Sequence, residues 1–534
     1  MNQVEVKRRQ IQIYAHCLGF ITIFLLGRRI GNNGIAYMAA AIECFAVFWA
    51  IMGHDVSEVL GRLLRGRRAK GQYKSIAKLK RNAAILQGIT GFGISVLLFL
   101  GAGLCADYIF KIQYSRLLIM LVAPLFCLRS ISGVLLGFFQ GEGIELPTAV
   151  ASVLRQIFIL GFGLLFVNLL GKYGEKVSAL LGNDAYTSMY GGGGMILAML
   201  LAEVLILLFL LVIYKGKSHS VSAKESDGMK TIEGFGSFAG VLYGNIWRKS
   251  LLNLLESLPI WLGLIFYQKN VTDMQLAMEN YGLYLGKYLL LCGFVIFPLF
   301  AVILPINAKI ASGLKKDGQR YVKNIFQSGL HIVVVHALFY TVFYGIMAKQ
   351  LAGSFCESGS KLMVQLLQSG STIILFVALA YFFSRLLLLT GKKTPVLICA
   401  GIADLVFVVV TIALFGAGQP ETLALAYAGV AAALIYAALL GVITLRHLRV
   451  GIEWLQVIAI PGGSACVVGL LCILLGKVFT PHLGNLVTTI VCLVLGGMVY
   501  WTLLIVLRDF REQELNVIPG GKVIRGIGQM LRVF

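Results

Sequence analysis

Residues 195–213 read MILAMLLAEVLILLFLLVI, a continuous apolar run that contains one charged residue, Glu203. A helix that crosses the hydrocarbon core of a membrane needs about 20 residues of this kind. Similar runs recur along the chain, and they are too continuously apolar for the alternating strands of a membrane barrel, which are about ten residues long. The stretch therefore predicts a membrane-spanning helix, and its recurrence predicts a protein built from such helices.

The composition extends this prediction to the whole chain. Of the 534 residues, 58% are hydrophobic and 13% are charged, whereas soluble domains carry about 25% charged residues. The apolar runs lie at about 11–26, 35–58, 83–106, 116–138, 148–168, 193–214, 240–267, 281–306, 324–348, 362–388, 396–416, 424–445, 455–476 and 485–507. We expect an all-α polytopic membrane protein of about fourteen transmembrane helices, with no space for a folded soluble domain.

The distribution of charge predicts the orientation of these helices. The net charge is +22, but most basic residues fall in loops on one side of the predicted bundle, and cytoplasmic loops are the ones enriched in Lys and Arg. We expect a cell-membrane protein with both termini in the cytoplasm and no nucleic-acid partner. The densest basic loop, 61–82, and the amphipathic tail, 508–534, are expected to contact membrane lipids.

Short motifs recur at a nearly constant distance along the sequence. Gly71-Gln72-Tyr73-Lys74 is matched by Gly318-Gln319-Arg320-Tyr321, and a turn from Gly141 to Pro147 is matched by one from Gly391 to Pro395. The offsets agree to within a few residues, and an even number of helices separates the copies. We therefore predict two six-helix lobes related by a parallel repeat, with two further helices at the C-terminal end.

The repeat fixes the predicted domains. They are an N-lobe at 1–215, a cytoplasmic linker at 216–234, a C-lobe at 235–448, helices 13 and 14 at 449–507, and the tail at 508–534.

Basic side chains inside the apolar runs are candidates for a binding site, because a polar group at membrane depth is costly and faces the protein interior or a cavity. The predicted substrate-binding residues are Arg129, Arg155, Arg248, Lys249, Asn253, Lys287, Arg28 and Arg29. Lys249, Asn253 and Glu256 are spaced four and three apart, which puts them on one helical face. That face either lines a cavity or pairs with neighbouring helices.

Acidic side chains at depth are fewer than basic ones, so the interior is predicted to be a net-positive central cavity. The candidates for ion coupling are Glu256, Asp404 and Glu203. For Glu203 and Asp404, pairing with Arg155 or Arg129 is the alternative. A basic cavity suits a phosphate-bearing substrate, since arginine binds phosphate through two parallel hydrogen bonds, and it repels a cationic drug.

The remaining patterns argue against an enzyme. No phosphate-binding loop motif occurs, the ten cysteines form no C-x-x-C pair, and the histidines lack metal-ligand spacing. The longest predicted outer loop, 169–192, offers no convincing pair of reactive groups. We therefore expect no cofactor, no metal site and no catalytic residue.

One stretch resembles a known family. GFFQGEG at 137–143, followed by Pro-Thr-Ala-Val at 147–150, is similar to the helix 4 to helix 5 signature of the polysaccharide-type lipid flippases, the group that includes stage V sporulation protein B and the MviN proteins. GRRAKGQYK at 66–74, YGLYLG at 281–286 and TGKKTPV at 390–396 fall where that family has similar motifs. The chain departs from the family after Gly53, where two acids, Asp55 and Glu58, replace small residues.

The resemblance implies a two-lobed transporter of the multidrug, oligosaccharidyl-lipid and polysaccharide exporter superfamily. Its expected activity is to move an undecaprenyl-linked saccharide from the inner to the outer leaflet by alternating access. The expected partners are the lipid-linked saccharide, membrane lipids, a coupling ion and glycosyltransferases of the same pathway. The alternative function is a cation-coupled multidrug exporter of the same superfamily.

Overall fold

The computed structural model describes residues 3–144, 146–221, 234–271, 274–315, 318–356, 360–510 and 525–526, and within these ranges all regular structure is helical. The helices are α1 (Gln3–Met52), α2 (Val56–Ala69), α3 (Tyr73–Leu104), α4 (Ser115–Gly141), α5 (Leu146–Leu181), α6 (Ala185–Val221), α7 (Phe235–Asn270), α8 (Met274–Leu283), α9 (Leu290–Leu314), α10 (Gln319–Ile346), α11 (Ala348–Phe355), α12 (Lys361–Gly370), α13 (Ile373–Leu389), α14 (Lys393–Gly416), α15 (Glu421–Leu448) and α16 (Ile460–Val506). Short π-helical segments follow α3 and precede α9 and α16. The prediction of an all-α fold is confirmed.

The number of membrane spans depends on two glycines. Among the described residues, eleven helical stretches are long and apolar enough to cross a membrane, and α12 with α13, bent by 44° at their junction, makes a twelfth if the two form one span. Two of these stretches, Ile13–Ala69 and Leu455–Val506, are far longer than one crossing needs. Each contains a glycine with non-helical dihedral angles, Gly31 (φ 78°) and Gly484 (φ 72°). Counting each as two spans gives fourteen, as the sequence predicts.

At both glycines the chain folds back on itself. A Cβ on Gly27 would lie 3.1 Å from Ile35 Cδ1, although residues eight apart in a straight helix are about 12 Å apart. In α16, Cys472 Sγ lies 3.8 Å from the carbonyl oxygen of Cys492. The sequence predicts loops at these two places, but one glycine in a conformation that other residues avoid is enough for each reversal.

Two predicted loops are mostly helical. The basic stretch 61–82 forms the end of α2 and the start of α3, with a turn of three residues between them. The predicted outer loop 169–192 is taken up by α5 and α6, which leave a turn at 182–184. Both predictions were wrong because polar residues at the ends of long helices extend beyond the apolar run that reveals the helix. The linker residues 222–233 and the tail residues 511–524 and 527–534 lie outside the described residues.

The chain forms two compact units, residues 1–286 and residues 287–534. This boundary reflects packing and differs from the predicted lobe boundary in the linker, so the lobes stay a prediction. In the first unit, α2 lies against α4 so closely that a Cβ on Gly141 would be 2.6 Å from Leu64 Cβ. This packing fixes the turn between α1 and α2, which carries Asp55.

One of the two pairs of recurring motifs adopts matching turns, whereas Gly71 (φ 69°) and Gly318 (φ −83°) of the other pair differ. Gly143 and Gly391 both have positive φ, 76° and 87°. The amide of Gly143 donates to the carbonyl oxygen three residues before it, and the next amide donates to the carbonyl oxygen five residues before itself. The amide of Gly391 and the amide after it make the same two hydrogen bonds. The same helix ending also occurs at Gly418, outside the repeated motifs, so the duplication stays a prediction.

Candidate functional site

Three charged side chains meet inside the first unit, one from each of α4, α5 and α6. Arg155 donates to both oxygens of Glu203, from Nε to Oε2 at 2.9 Å and from Nη2 to Oε1 at 3.3 Å. Arg129 Nε lies 3.6 Å from Glu203 Oε2. The Glu203 side chain is 1% exposed, and all three residues lie within membrane-spanning stretches. In this arginine–glutamate cluster the carboxylate of Glu203 pairs with both arginines, which is the alternative to ion coupling.

The two arginines are not equivalent. Arg155 binds Glu203 in a two-bond fork, the geometry in which guanidinium and carboxylate interact most strongly. Arg129 is too far for a hydrogen bond, and its buried Nε has no hydrogen-bond partner among the described residues. Its guanidinium carbon lies 5.3 Å from the centre of the Phe45 ring, a distance at which the ring face attracts a cation.

The cluster carries one more positive than negative group. The side chains of Arg129 and Arg155 are 28% and 21% exposed, respectively, whereas Glu203 is enclosed. A buried Arg donor without a partner costs free energy unless an acceptor reaches it. The arrangement can therefore bind an anion through Arg129 while Glu203 and Arg155 hold each other in place.

A second polar cluster joins the turn before α2 to α7. Lys249 Nζ lies 2.9 Å and 2.8 Å from the two carboxylate oxygens of Glu58 and 3.9 Å from Asp55 Oδ1. Asn253 Nδ2 donates to Asp55 Oδ2 at 2.7 Å. Lys249 and Asn253 thus pair with a neighbouring segment, which is one of the two alternatives for their face. Glu256, on the same face, is exposed.

The other predicted binding residues of the first unit lie apart from these clusters. Arg29 Nη1 donates to Asn168 Oδ1 at 3.0 Å, and both groups are exposed. Arg28, beside it, is also exposed. Arg248 is exposed on α7, with its guanidinium 5.1 Å from the centre of the Trp247 ring.

Two predicted residues belong to the second unit. Lys287 lies beside Cys356, where burial raises the pKa of the thiol and the lysine opposes that rise. Asp404 is buried on α14. Among the residues that the structure describes, no group of three His, Cys, Asp or Glu side chains is placed to hold a metal ion.

Sequence reasoning missed three partners of the predicted residues. Asp55 and Glu58 stand out in the sequence as acids near a helix end, but nothing links them to Lys249, since almost two hundred residues separate them. Phe45 gives no signal at all, because it is one aromatic residue in a helix rich in them. A charge at the predicted end of a span is the cue that points to Asp55 and Glu58.

The comparisons with known proteins agree with this fold. The model of the family described as "polysaccharide biosynthesis protein" matches residues 10–304, more than half of the chain. Stage V sporulation protein B of Bacillus subtilis (strain 168) is 21% identical over 200 residues, which are 38% of this chain and 36% of that relative. The match thus spans about a third of the relative's length.

Solved structures of transporters share the fold. The lipid II flippase MurJ in an inward closed conformation has a TM-score of 0.61 at 15% identity, with 94% of this chain and 99% of that chain covered. An inward-facing multidrug resistance MATE family transporter of the MOP superfamily has a TM-score of 0.62 at 14% identity, covering 82% and 94%. A MOP superfamily transporter from Pyrococcus furiosus scores 0.59 at 13% identity, covering 83% and 95%. With this multi-pass helical fold and the family match over more than half of its length, the chain belongs to the polysaccharide biosynthesis protein family.

Proposed function

We propose that this protein is a flippase that moves a lipid-linked saccharide from the inner to the outer leaflet of the cell membrane by alternating access. Its substrate is a saccharide joined through phosphate to a long isoprenoid such as undecaprenol. The head group passes through a basic cavity in the protein, and the isoprenoid stays in the lipid. Both termini lie in the cytoplasm.

The observation that carries this proposal is the arrangement of Arg129 in the arginine–glutamate cluster. Its Nε is buried without a hydrogen-bond partner among the described residues, and the cluster has a net positive charge at membrane depth. A phosphate oxygen is the acceptor that such a guanidinium binds best. We assign the substrate contact to Arg129 and the positioning of the cluster to Arg155 and Glu203.

The geometry also bears on ion coupling. A carboxylate that carries a proton or sodium ion must release its partner during the cycle, and Glu203 is held by two hydrogen bonds from Arg155. Glu203 is therefore better suited to positioning than to coupling. Asp404 and Glu256 stay the candidates for coupling, and Arg248, Lys249, Asn253, Lys287, Arg28 and Arg29 the further candidates for contact with the head group.

The second candidate function, a cation-coupled multidrug exporter, is supported by the likeness to MATE transporters. That likeness concerns the fold, and its TM-score of 0.62 is nearly the same as the 0.61 of the lipid II flippase, which covers more of the chain. A cationic drug needs an uncompensated acid at its binding site. In the arginine–glutamate cluster the acid is outnumbered by two arginines, which repel a cation.

The proposal is tested with purified protein in vesicles that contain a fluorescent undecaprenyl diphosphate sugar. Translocation between leaflets is measured for the wild type, Arg129→Ala, Arg129→Lys and Arg65→Ala. We expect Arg129→Ala to lose translocation, Arg129→Lys to keep part of it, and Arg65→Ala, a change at an exposed arginine of α2, to behave as wild type. Lysine retains the charge but not the paired donors.

Two outcomes would reject the proposal. Normal translocation by Arg129→Ala would show that the cluster does not contact the substrate. Failure of the wild-type protein to move the lipid, together with efflux of a cationic dye driven by an ion gradient, would favour the multidrug exporter.

A further inference from the structure

The end of α16 is held against α10 by a buried pair of ionisable side chains. His331 Nε2, on α10, lies 2.8 Å from Asp509 Oδ2, just beyond the last residue of α16. The side chains of His331 and Asp509 are 3% and 0% exposed, respectively. Both residues belong to the second unit, and neither takes part in the arginine–glutamate cluster.

A sharp turn after α16 brings Asp509 to this place. Arg508 has a φ of 53°, a left-handed conformation that costs free energy in a residue other than glycine. The amide of Asp509 donates to the carbonyl oxygen of Leu504 at 3.0 Å, and the amide of Arg508 donates three residues back, also at 3.0 Å. These two hydrogen bonds close the turn, so they report whether it is docked.

Aromatic rings cover the pair. The centre of the Phe510 ring lies 5.5 Å from that of His331, and Trp501 stacks on Phe510 at 5.5 Å between ring centres. The Tyr500 hydroxyl donates to a backbone carbonyl oxygen of α10 at 2.9 Å. Tyr500 also interacts electrostatically with Asp509, but a neutral phenol that donates elsewhere does not compensate a carboxylate.

Among the described residues, His331 is the only cationic partner of Asp509. Arg508, beside it, is exposed. The other two cations of α10, Arg320 and Lys323, are exposed at its start, two or more turns before His331. Asp509 Oδ1 is buried and has no hydrogen-bond partner among the described residues. The charge of this carboxylate therefore depends on His331.

The buried pair is electrically neutral only when it holds one proton more than neutral imidazole and carboxylate do. That proton makes it either charged His331 with ionised Asp509, or neutral His331 with protonated Asp509. Without the proton, a full negative charge remains enclosed, and burying an uncompensated charge is costly. In water a histidine loses its proton above about pH 6.5, so docking at neutral pH takes up a proton.

We propose that His331 and Asp509 form a proton-operated latch that fastens the end of α16 to α10. With the proton bound, the pair is neutral and stays buried. Loss of the proton leaves Asp509 uncompensated and releases the turn at 507–510. Because the docked state holds one proton more than the released state above about pH 6.5, raising the pH favours release by up to about tenfold per pH unit. With both termini in the cytoplasm, the latch responds to cytoplasmic pH.

Hydrogen–deuterium exchange of the full-length protein in detergent micelles tests the latch. The peptide that contains 507–510 reports release, because the amides of Arg508 and Asp509 exchange when their hydrogen bonds open. Protection factors are measured at about pH 6 and about pH 8, on either side of the pH at which a free histidine loses its proton, and are corrected for the intrinsic exchange rate at each pH.

The test variants are His331→Gln and Asp509→Asn, which remove the proton site while keeping side chains of similar size. His336→Gln is the matched control. His336 lies on the same helix, but its Nε2 is 2.8 Å from a backbone carbonyl oxygen, that of Val295, instead of an acid.

We expect the protection factor of the wild type to fall about tenfold from the lower to the higher pH. In His331→Gln and Asp509→Asn it should change by less than about twofold, and His336→Gln should repeat the wild-type fall. Equal protection of the wild type at both pH values would overturn the proposal, because neutral His331 would then suffice to hold ionised Asp509. A fall preserved in His331→Gln would also overturn it, since another group would then bind the proton.

The latch is independent of the proposed function. Neither Arg129 nor translocation enters the measurement, so failure of the latch leaves the flippase proposal unchanged. A protein that fails to translocate the saccharide can still show the pH-dependent protection.

Discussion

Removing Arg155 should destabilise the protein more than removing Arg129, although both arginines contact the same carboxylate. In Arg155→Ala, Glu203, whose side chain is 1% exposed in the wild-type structure, loses two hydrogen bonds, of 2.9 Å and 3.3 Å. Breaking a buried ion pair from one side costs about 3–5 kcal/mol. Because Arg129 remains 3.6 Å away and Arg155 is itself 21% exposed, we expect about 2–3 kcal/mol.

Arg129→Ala removes fewer stabilising contacts than Arg155→Ala. It takes away an ion pair without a hydrogen bond and the contact with the Phe45 ring, and it leaves the Arg155 fork intact. A cation over an aromatic ring contributes about 0.5–1 kcal/mol at a partly exposed site. The expected cost is therefore about 1 kcal/mol, and the difference between the two variants is about 1–2 kcal/mol.

The assay is unfolding in mixed micelles, in which the fraction of a denaturing detergent is raised and helical structure and tryptophan fluorescence are followed. Arg155→Ala should unfold at the lowest denaturant fraction, Arg129→Ala close to the wild type. Glu203→Gln, which leaves two cations without their acid, should resemble Arg155→Ala. If Arg129→Ala is destabilised as much as Arg155→Ala, the division between a contacting and a positioning arginine is wrong.

Three further predictions follow from local contacts. Lys249→Glu should weaken translocation, and adding Glu58→Lys should restore part of it, because the swap rebuilds the ion pair. The pair is partly exposed, so the free energy of unfolding should change by less than about 1 kcal/mol. No recovery of translocation in the double variant would refute the pairing. Gly194→Ala should lower the unfolding midpoint, since its Cβ would lie 2.6 Å from the Phe166 carbonyl oxygen. Gly161→Ala on α5, with no neighbour within 4 Å of the new Cβ, should leave the midpoint unchanged or raise it. The reverse order of midpoints would contradict the α5–α6 packing. Gly31→Ala should cost about 1–3 kcal/mol because its φ of 78° disfavours side chains, and an unchanged midpoint would show that the reversal does not depend on glycine.

The membrane spans could be predicted from the sequence because the length of an apolar run is a local property. Each predicted run corresponds to helical structure, including the run that contains Glu203. The prediction of the loops failed, because a polar segment can also belong to a helix. A basic or polar segment such as 61–82 reads as a loop, but the end of a helix that leaves the membrane needs no apolar residues, and α2 continues to Ala69.

The sequence predicts which residues belong to the candidate site but not which of them pair with each other. Placing a charged side chain at membrane depth costs free energy, and this alone singles out Arg129, Arg155 and Glu203 within their apolar runs. Whether Glu203 couples an ion or pairs with an arginine depends on how α4, α5 and α6 are rotated about their axes, and sequence spacing within one helix does not determine that. The same limit hid the contact of Lys249 with Glu58.

The reversals at Gly31 and Gly484 have a consequence for biosynthesis. Two helices joined by a single residue leave no loop between them, so we expect each pair to enter the bilayer together as a hairpin. The tip at Gly31 carries Arg28 and Arg29, and at the bilayer centre each arginine costs about 2.5–3.5 kcal/mol on insertion scales. With the N-terminus in the cytoplasm, as we propose, we expect the apolar residues of both halves to be synthesised before the tip crosses, with the hairpin as the unit of insertion.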